Sequence, residues 1–141
     1  MKILIQKSVR QELIKYGEGS PTKEVCGFLL GKRNEEGSWE CDEFKPLTNI
    51  SESQEVHYIP DPNEMFSALT ETTHMNKDAN KDLVGVYHTH PHHAATPSIT
   101  DLSGAGYRGF YLIYSPKFKK LNAFYYDGDY PCFEDADLHI A

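Results

Sequence analysis

The sequence predicts an α+β fold: a central mixed, largely antiparallel sheet flanked by helices. Three observations carry this expectation. Residues 25–31 (VCGFLLG) form a continuous apolar run of strand length bounded by turn residues, and residues 83–90 (LVGVYHTH) read as a further strand, stopped by Pro91. Helix starts stand at Ser8 with Gln11, and at Asp61 before Pro62. Strand and helix signals follow one another without the regular alternation of a doubly wound sheet.

The elements follow in order. Residues 2–5 open as a short apolar strand. Ser8 and Gln11 read as a capping box before Val9, Leu13, Ile14 and Tyr16, and Gly17, Gly19 and Pro21 should end that helix. Residues 25–31 then read as a buried strand. Residues 34–37 form a hairpin turn into a loosely alternating strand over 39–47. Residues 46–53 are polar loop, and 56–59 a brief strand. From Asp61 and Pro62 the spacing predicts a helix to about Asn80, with Met65, Phe66, Leu69 and His74 facing inward. The strand over 83–90 leads into a loop over 91–97, and Ser98 begins a short helix. Residues 110–114 and 121–126 are aromatic-rich strands joined by a hairpin over 115–119 and read as core. The acidic tail after Gly128 receives no element. Exposed sheet edges are expected to offer strand addition to an extended peptide.

The chain of 141 residues reads as one domain, 1–141, without an internal repeat, low-complexity tract or linker. Apolar residues at 39% and aromatics at 12% suffice for one packed core. Fourteen basic against 21 acidic residues give a net charge of −7. That balance argues against coating nucleic acid or an anionic membrane. No stretch approaches the roughly 20 apolar residues of a membrane span. The opening MKILIQKSVRQEL is too short and too soon polar for a signal peptide. A soluble, cytoplasmic protein is expected, with no nucleic-acid or membrane partner; nothing indicates an oligomeric state. Cys26, Cys41 and Cys132 form no CxxC pair and read as small buried thiols.

The chemistry concentrates near His88 and His90. On a strand they share one face, about 6.6 Å apart along it. Two imidazoles so placed can converge on one ion, with Zn–N bonds of about 2.0–2.1 Å. Pro91 stops the ladder, so the pair sits at an accessible strand end. Ser98 and Asp101 are neighbours on a helix start, and the loop can return Asp101 to the strand end as a third, oxygen ligand. Two histidines and a carboxylate leave one tetrahedral position for water, as in catalytic rather than structural zinc sites. Alone, HxH is a weak signal and Ser98–Asp101 is more simply a capping box; together they point to a metal. His92 and His93 read as exposed loop residues. His57, His74 and His139 carry no functional signal.

These residues resemble the signature of the JAMM (MPN+) metalloprotease family: His-x-His-Pro, six residues, then Ser-x-x-Asp. Here His88-Thr89-His90-Pro91 is followed by residues 92–97 and then Ser98-Ile99-Thr100-Asp101. The stretch Pro21-Thr22-Lys23-Glu24-Val25-Cys26-Gly27 is similar to the family's upstream glutamate segment, and Pro46-Leu47-Thr48-Asn49 and Ile59-Asp61-Pro62 look like the small prokaryotic members. Only the resemblance singles out Glu24 among the acids. It implies a cytidine-deaminase-like α/β sandwich and one Zn²⁺ per chain, held by His88, His90, Asp101 and water. It implies Glu24 as the proton carrier and Ser98 as hydrogen-bond donor to the oxyanion. It implies a peptidase or isopeptidase acting after the C-terminal Gly-Gly of a ubiquitin-like or sulfur-carrier protein, and leaves Cys26 without a nucleophilic role. The alternative within the family is a non-catalytic MPN-type protein-binding scaffold. A zinc nucleobase deaminase is disfavoured: Thr89 stands where HxE needs its glutamate, and no PCxxC follows.

Overall fold

The computed structural model describes residues 1–128 and 133–141; Cys132 lies outside them. Strands β1 (Lys2–Ile5), β2 (Cys26–Lys32), β3 (Ser38–Leu47), β4 (Asp82–Thr89), β5 (Gly109–Ser115), β6 (Lys120–Tyr126) and β7 (Phe133–Ile140) join helices α1 (Lys7–Glu18), α2 (Pro62–Leu69) and α3 (Ile99–Gly104). The strand order is β1-β3-β2-β4-β5-β6-β7, and the sheet closes into a barrel. The contacts β1–β3, β4–β5 and β1–β7 are parallel, and the other four are antiparallel. The expected mixed, largely antiparallel sheet is therefore present, but not as a plain layered sandwich.

Closure is the work of β7 (Phe133–Ile140), in the acidic tail for which no element is expected. Its first half pairs with β6 through Ala123↔Ala136, and its second half lies parallel to β1 through Ile5↔Ile140. Glu134, Asp135 and Asp137, of types depleted in strands, mask the half-buried Phe133, Ala136 and Leu138. Closure gives each described strand two neighbours and removes the free edges expected to receive a peptide.

β2 is buried on both faces, which explains its uninterrupted apolar run. Leu29 packs with Ile3, Ile5, Leu13, Tyr87 and Leu112 in one cluster. Cys26, Phe28 and Leu30 pack on the other face with Val86, Tyr111 and Ala68 of α2. Gly31 sits at the bulge where the β2–β3 register shifts. A Cβ there would lie 1.9 Å from the Glu40 carbonyl oxygen. Gly31→Ala should therefore destabilise by about 3 kcal/mol and lower the melting temperature by roughly 10 °C. Gly19→Ala, where a Cβ meets nothing closer than 3.4 Å, is the matched control in the same thermal unfolding measurement.

The helices differ from expectation in instructive ways. Ser8 lies inside α1, whose N-cap is Gln6 with no side-chain cap bond, so the Ser8–Gln11 capping box does not form. α1 also runs through Gly17, because Gly17 is where the helix presses on the sheet. A Cβ there would stand 2.6 Å from the Tyr114 ring. α2 starts as expected: Asp61 Oδ1 accepts from the Asn63 and Glu64 N–H groups, and Pro62 follows the cap. It ends at Leu69 rather than near Asn80. Thr70 and Thr72 hydroxyls donate to the Ser67 and Leu69 carbonyls, competing with helical continuation, and Thr72 bridges to Lys81. Met65 and Leu69 pack inward, whereas Phe66 and His74 are exposed. Residues 56–59 form no strand; only a single Asn49–Pro60 bridge remains there.

Candidate metal centre

The β2–β4 register assembles the site. Cys26 lies opposite His88, so the chain before β2 runs beside the chain after β4. The Thr89 N–H donates to the Val25 carbonyl at 3.1 Å, and the Val25 N–H to Thr89 Oγ1 at 3.0 Å. Glu24 is thereby set across from His90. The 91–97 loop is pinned in turn: Ser115 Oγ donates to the His93 carbonyl, and Asn122 Nδ2 to that of Ala95. This returns α3 to the end of β4.

The result is a tight convergence. His88 Nε2 and His90 Nε2 are 3.1 Å apart. Asp101 Oδ1 lies 3.1 Å from His88 Nε2, and Oδ2 lies 3.0 Å from His90 Nε2. Ligand-capable atoms of Glu24, His88 and His90 all lie within 4.8 Å of one another. His90 Nδ1 faces the Ala94 carbonyl at 2.9 Å. A carbonyl only accepts, so Nδ1 carries the hydrogen and the neutral ring aims its Nε2 lone pair at the centre. In the protonated ring Nε2 donates to Asp101; in the neutral ring that lone pair and a carboxylate oxygen face each other, and a cation between them resolves the conflict. Tetrahedral zinc with bonds of about 2.0–2.1 Å needs ligand atoms about 3.3 Å apart. The two nitrogens and the carboxylate fit it.

Electrostatics match this geometry. Burial pushes the Asp101 carboxyl up, but hydrogen bonds with His88 and His90 outweigh it and hold the group well below the usual carboxylate range. Burial also opposes charge on His90, yet its bonds to Asp101 and Ala94 leave its pKa raised. For the fully enclosed His88 burial prevails and the pKa is lowered. Glu24 is 5% exposed. Burial pushes it up to about 8, with the Asp101 charge adding to the rise and the His90 charge opposing it.

Ser98 combines two readings that the sequence weighed apart. Its Oγ accepts from the Asp101 N–H at 3.0 Å, and its N–H donates to Asp101 Oδ2 at 2.9 Å. This reciprocal cap also orients the carboxylate toward the histidines. The structure thus brings Glu24, His88, His90 and Asp101 together, with Ser98 joined to them through Asp101. His92, His93 and His139 are exposed and stand apart from it. Cys26 bonds the Leu47 carbonyl, and burial, reinforced by the Glu24 charge, pushes its thiol up to about 12. It stays a thiol.

Sequence reasoning gave no role to Tyr58 or to the Asn49 side chain. Tyr58 stacks on His88 with ring centroids 4.5 Å apart. Asn49 Nδ2 donates to the Glu24 and His57 carbonyls, and its Oδ1 accepts from the Ser51 and Ile59 N–H groups. It ties the Glu24 segment to the neighbouring loop. Asn49→Ala removes four bonds and should destabilise by about 2–3 kcal/mol; denaturant unfolding measures it. From the centre a groove of about 360 Å³ extends past Asp101, Tyr58, Ile59, Val86, Met65 and Leu69.

Over residues 6–126 the chain matches the family described as prokaryotic homologs of the JAB domain. It is 36% identical over 99 residues to the desampylase of Haloferax volcanii, a match covering 70% of this chain and 66% of that protein. It is 30% identical over 92 residues to a probable TtuB-protein conjugate cleaving protease of Thermus thermophilus, covering 65% and 55%. The chain therefore spans less than two thirds of these relatives' length. A JAB1/MPN domain protein from Archaeoglobus fulgidus shares the fold at a TM-score of 0.64 and 15% identity, with 99% of this chain and 98% of that one covered. Family match, fold and the clustering of the signature residues agree: the chain belongs to the prokaryotic JAB-domain family.

Proposed function

We propose that the chain, acting as one domain, is a zinc-dependent peptidase or isopeptidase. It hydrolyses the bond after the C-terminal Gly-Gly of a ubiquitin-like or sulfur-carrier protein. One observation carries the chemistry: two imidazole nitrogens and a carboxylate meet within 3.1 Å, with a buried glutamate beside them. Relatives named a desampylase and a conjugate cleaving protease support the substrate class.

His88, His90 and Asp101 would hold the ion, which when bound supplies Lewis acidity to water and to the scissile carbonyl. Glu24 takes the proton from the attacking water and delivers it to the leaving amine nitrogen. A carboxyl raised by burial is suited to both halves of that task, because it binds and releases a proton near neutrality. The Ser98 hydroxyl, already an acceptor for the Asp101 N–H, retains its own hydrogen to donate to the oxyanion. Asn49 and the β2–β4 register fix the Glu24 backbone. His88 is fully buried and His90 is 5% exposed, so the substrate backbone must reach into a recess. Glycine, lacking Cβ, can do so.

Carriers extended beyond Gly-Gly, as linear fusions or lysine conjugates, test the reading by intact-mass measurement. Cleavage after the second glycine is expected, abolished by a chelator and restored by zinc. A zinc-loaded protein that leaves every such carrier intact would overturn it.

A further inference from the structure

The groove that leaves the metal centre does not end beside α2. His74, Gly106 and Tyr107 line it and also line a second cleft with Arg33, Trp39, Arg108 and Tyr125. Two guanidinium groups and three aromatic rings thus gather on a chain of net charge −7. The Arg33 guanidinium carbon lies 4.6 Å from the Trp39 ring centroid and 5.8 Å from that of Tyr107. Its Nε donates to the Leu83 carbonyl at 3.1 Å, and its Nη2 to the Tyr107 hydroxyl at 2.7 Å. These contacts hold the fork in place and use two of its five N–H donors.

Among the described residues the nearby acid is Asp82, whose charge Arg33 attracts without a direct side-chain pair. Asp82 bonds the Arg33 backbone N–H through one oxygen and the Thr73 hydroxyl through the other. Among the described residues neither Arg33 nor Arg108 forms an ion pair. The walls are fixed as well, with Trp39 edge-on to Tyr125 at 5.8 Å and Tyr107 anchored to the Leu83 carbonyl. A preset guanidinium fork beside a second arginine, between aromatic walls, suits a carboxylate carried on a peptide. The apolar groove leading from Asp101 supplies the path for that peptide.

We propose that this cleft binds an acidic side chain of the substrate polypeptide, away from the bond that is cut, and so selects among substrates. The proposal rests on the peptidase reading of the metal centre. The test uses synthetic peptides containing Gly-Gly, each with one Glu or one Lys at successive positions on either side. Trp39 is the single tryptophan, so its fluorescence reports binding to zinc-supplemented protein without any need for turnover.

At one position the Glu peptide should bind about tenfold tighter than its Lys twin, a difference of about 1.4 kcal/mol, and high salt should shrink the gap. Arg108→Glu should invert that preference. Arg108 is exposed and makes no side-chain bond among the described residues, so the swap leaves the fold intact. Arg33→Gln should flatten the preference. Equal binding of every Glu and Lys pair, or a preference that Arg108→Glu leaves in place, would overturn the proposal. A charge preference in binding with no cleavage of any carrier would support this cleft while removing the peptidase reading. Cleavage without charge preference would do the reverse.

Discussion

Glu24→Gln is expected to silence turnover while making the metal-free protein more stable. The catalytic loss should be about 10²–10⁴-fold in kcat, the usual contribution of a positioned proton carrier. Glutamine keeps the shape, and the backbone bonds of the segment, Glu24 N–H to the Gln54 carbonyl and Asn49 Nδ2 to the Glu24 carbonyl, do not involve the carboxyl. Zinc content should stay at wild-type level, since the closest donors are His88, His90 and Asp101. The stability gain follows from linkage. Burial, with the Asp101 charge, moves the Glu24 pKa from 4.5 to about 8. Between these values the folded chain keeps a proton that the unfolded chain has released, so stability falls as pH rises. Glutamine carries no such penalty. The variant's advantage should be absent near pH 4, grow through neutrality and reach a few kcal/mol by pH 8. Denaturant unfolding of both metal-free proteins across that range measures it. A difference that does not change with pH would mean that Glu24 is not a buried carboxyl.

The parts of this protein that could be read from its sequence are those whose cause is local. β2 and β4 are buried on both faces, so β2 shows as a run of apolar residues and Gly and β4 as the apolar stretch over 83–87 that leads into His88. His88, His90, Ser98 and Asp101 lie close in the chain, and one strand end, one loop and one helical cap bring them together. Glu24 is different. Nothing around it distinguishes it from 20 other acids, because its position depends on the pairing of Cys26 with His88. Only family resemblance could point to it. Tyr58 and Asn49 were illegible for the same reason: one stacks on a ring 30 residues away, and the other binds a carbonyl 25 residues away. The barrel closure is the extreme case, since β1 and β7 meet from opposite ends of the chain and β7 carries acids at strand positions. The helix after Pro62 stops short of Asn80 for a local reason: threonine hydroxyls capture carbonyls that a longer helix would use.

Asp101→Asn should release the metal without unfolding the site. An amide oxygen is a neutral and weaker ligand than a carboxylate, and the loss should exceed the roughly 10–100-fold that follows when only an outer partner of a ligand is altered. The fold should survive, because the asparagine Oδ1 can still accept from the Ser98 N–H and the Asp101 N–H bond to Ser98 Oγ is a backbone contact. The dependence on pH has a definite sign. In the metal-free protein Asp101 is already ionised across the neutral range, so it does not itself titrate there. It instead raises the His90 pKa, and a more basic His90 yields more of its metal affinity to protons as pH falls. Asparagine removes that charge and makes His90 less basic. The wild type should therefore lose affinity faster than the variant on acidification, and the gap between them should narrow from pH 8 toward pH 6. Competition with a chromophoric zinc chelator measures both affinities. Unchanged zinc binding in the variant would remove Asp101 from the ligand set. A gap constant with pH would show that the carboxylate does not govern the basicity of His90.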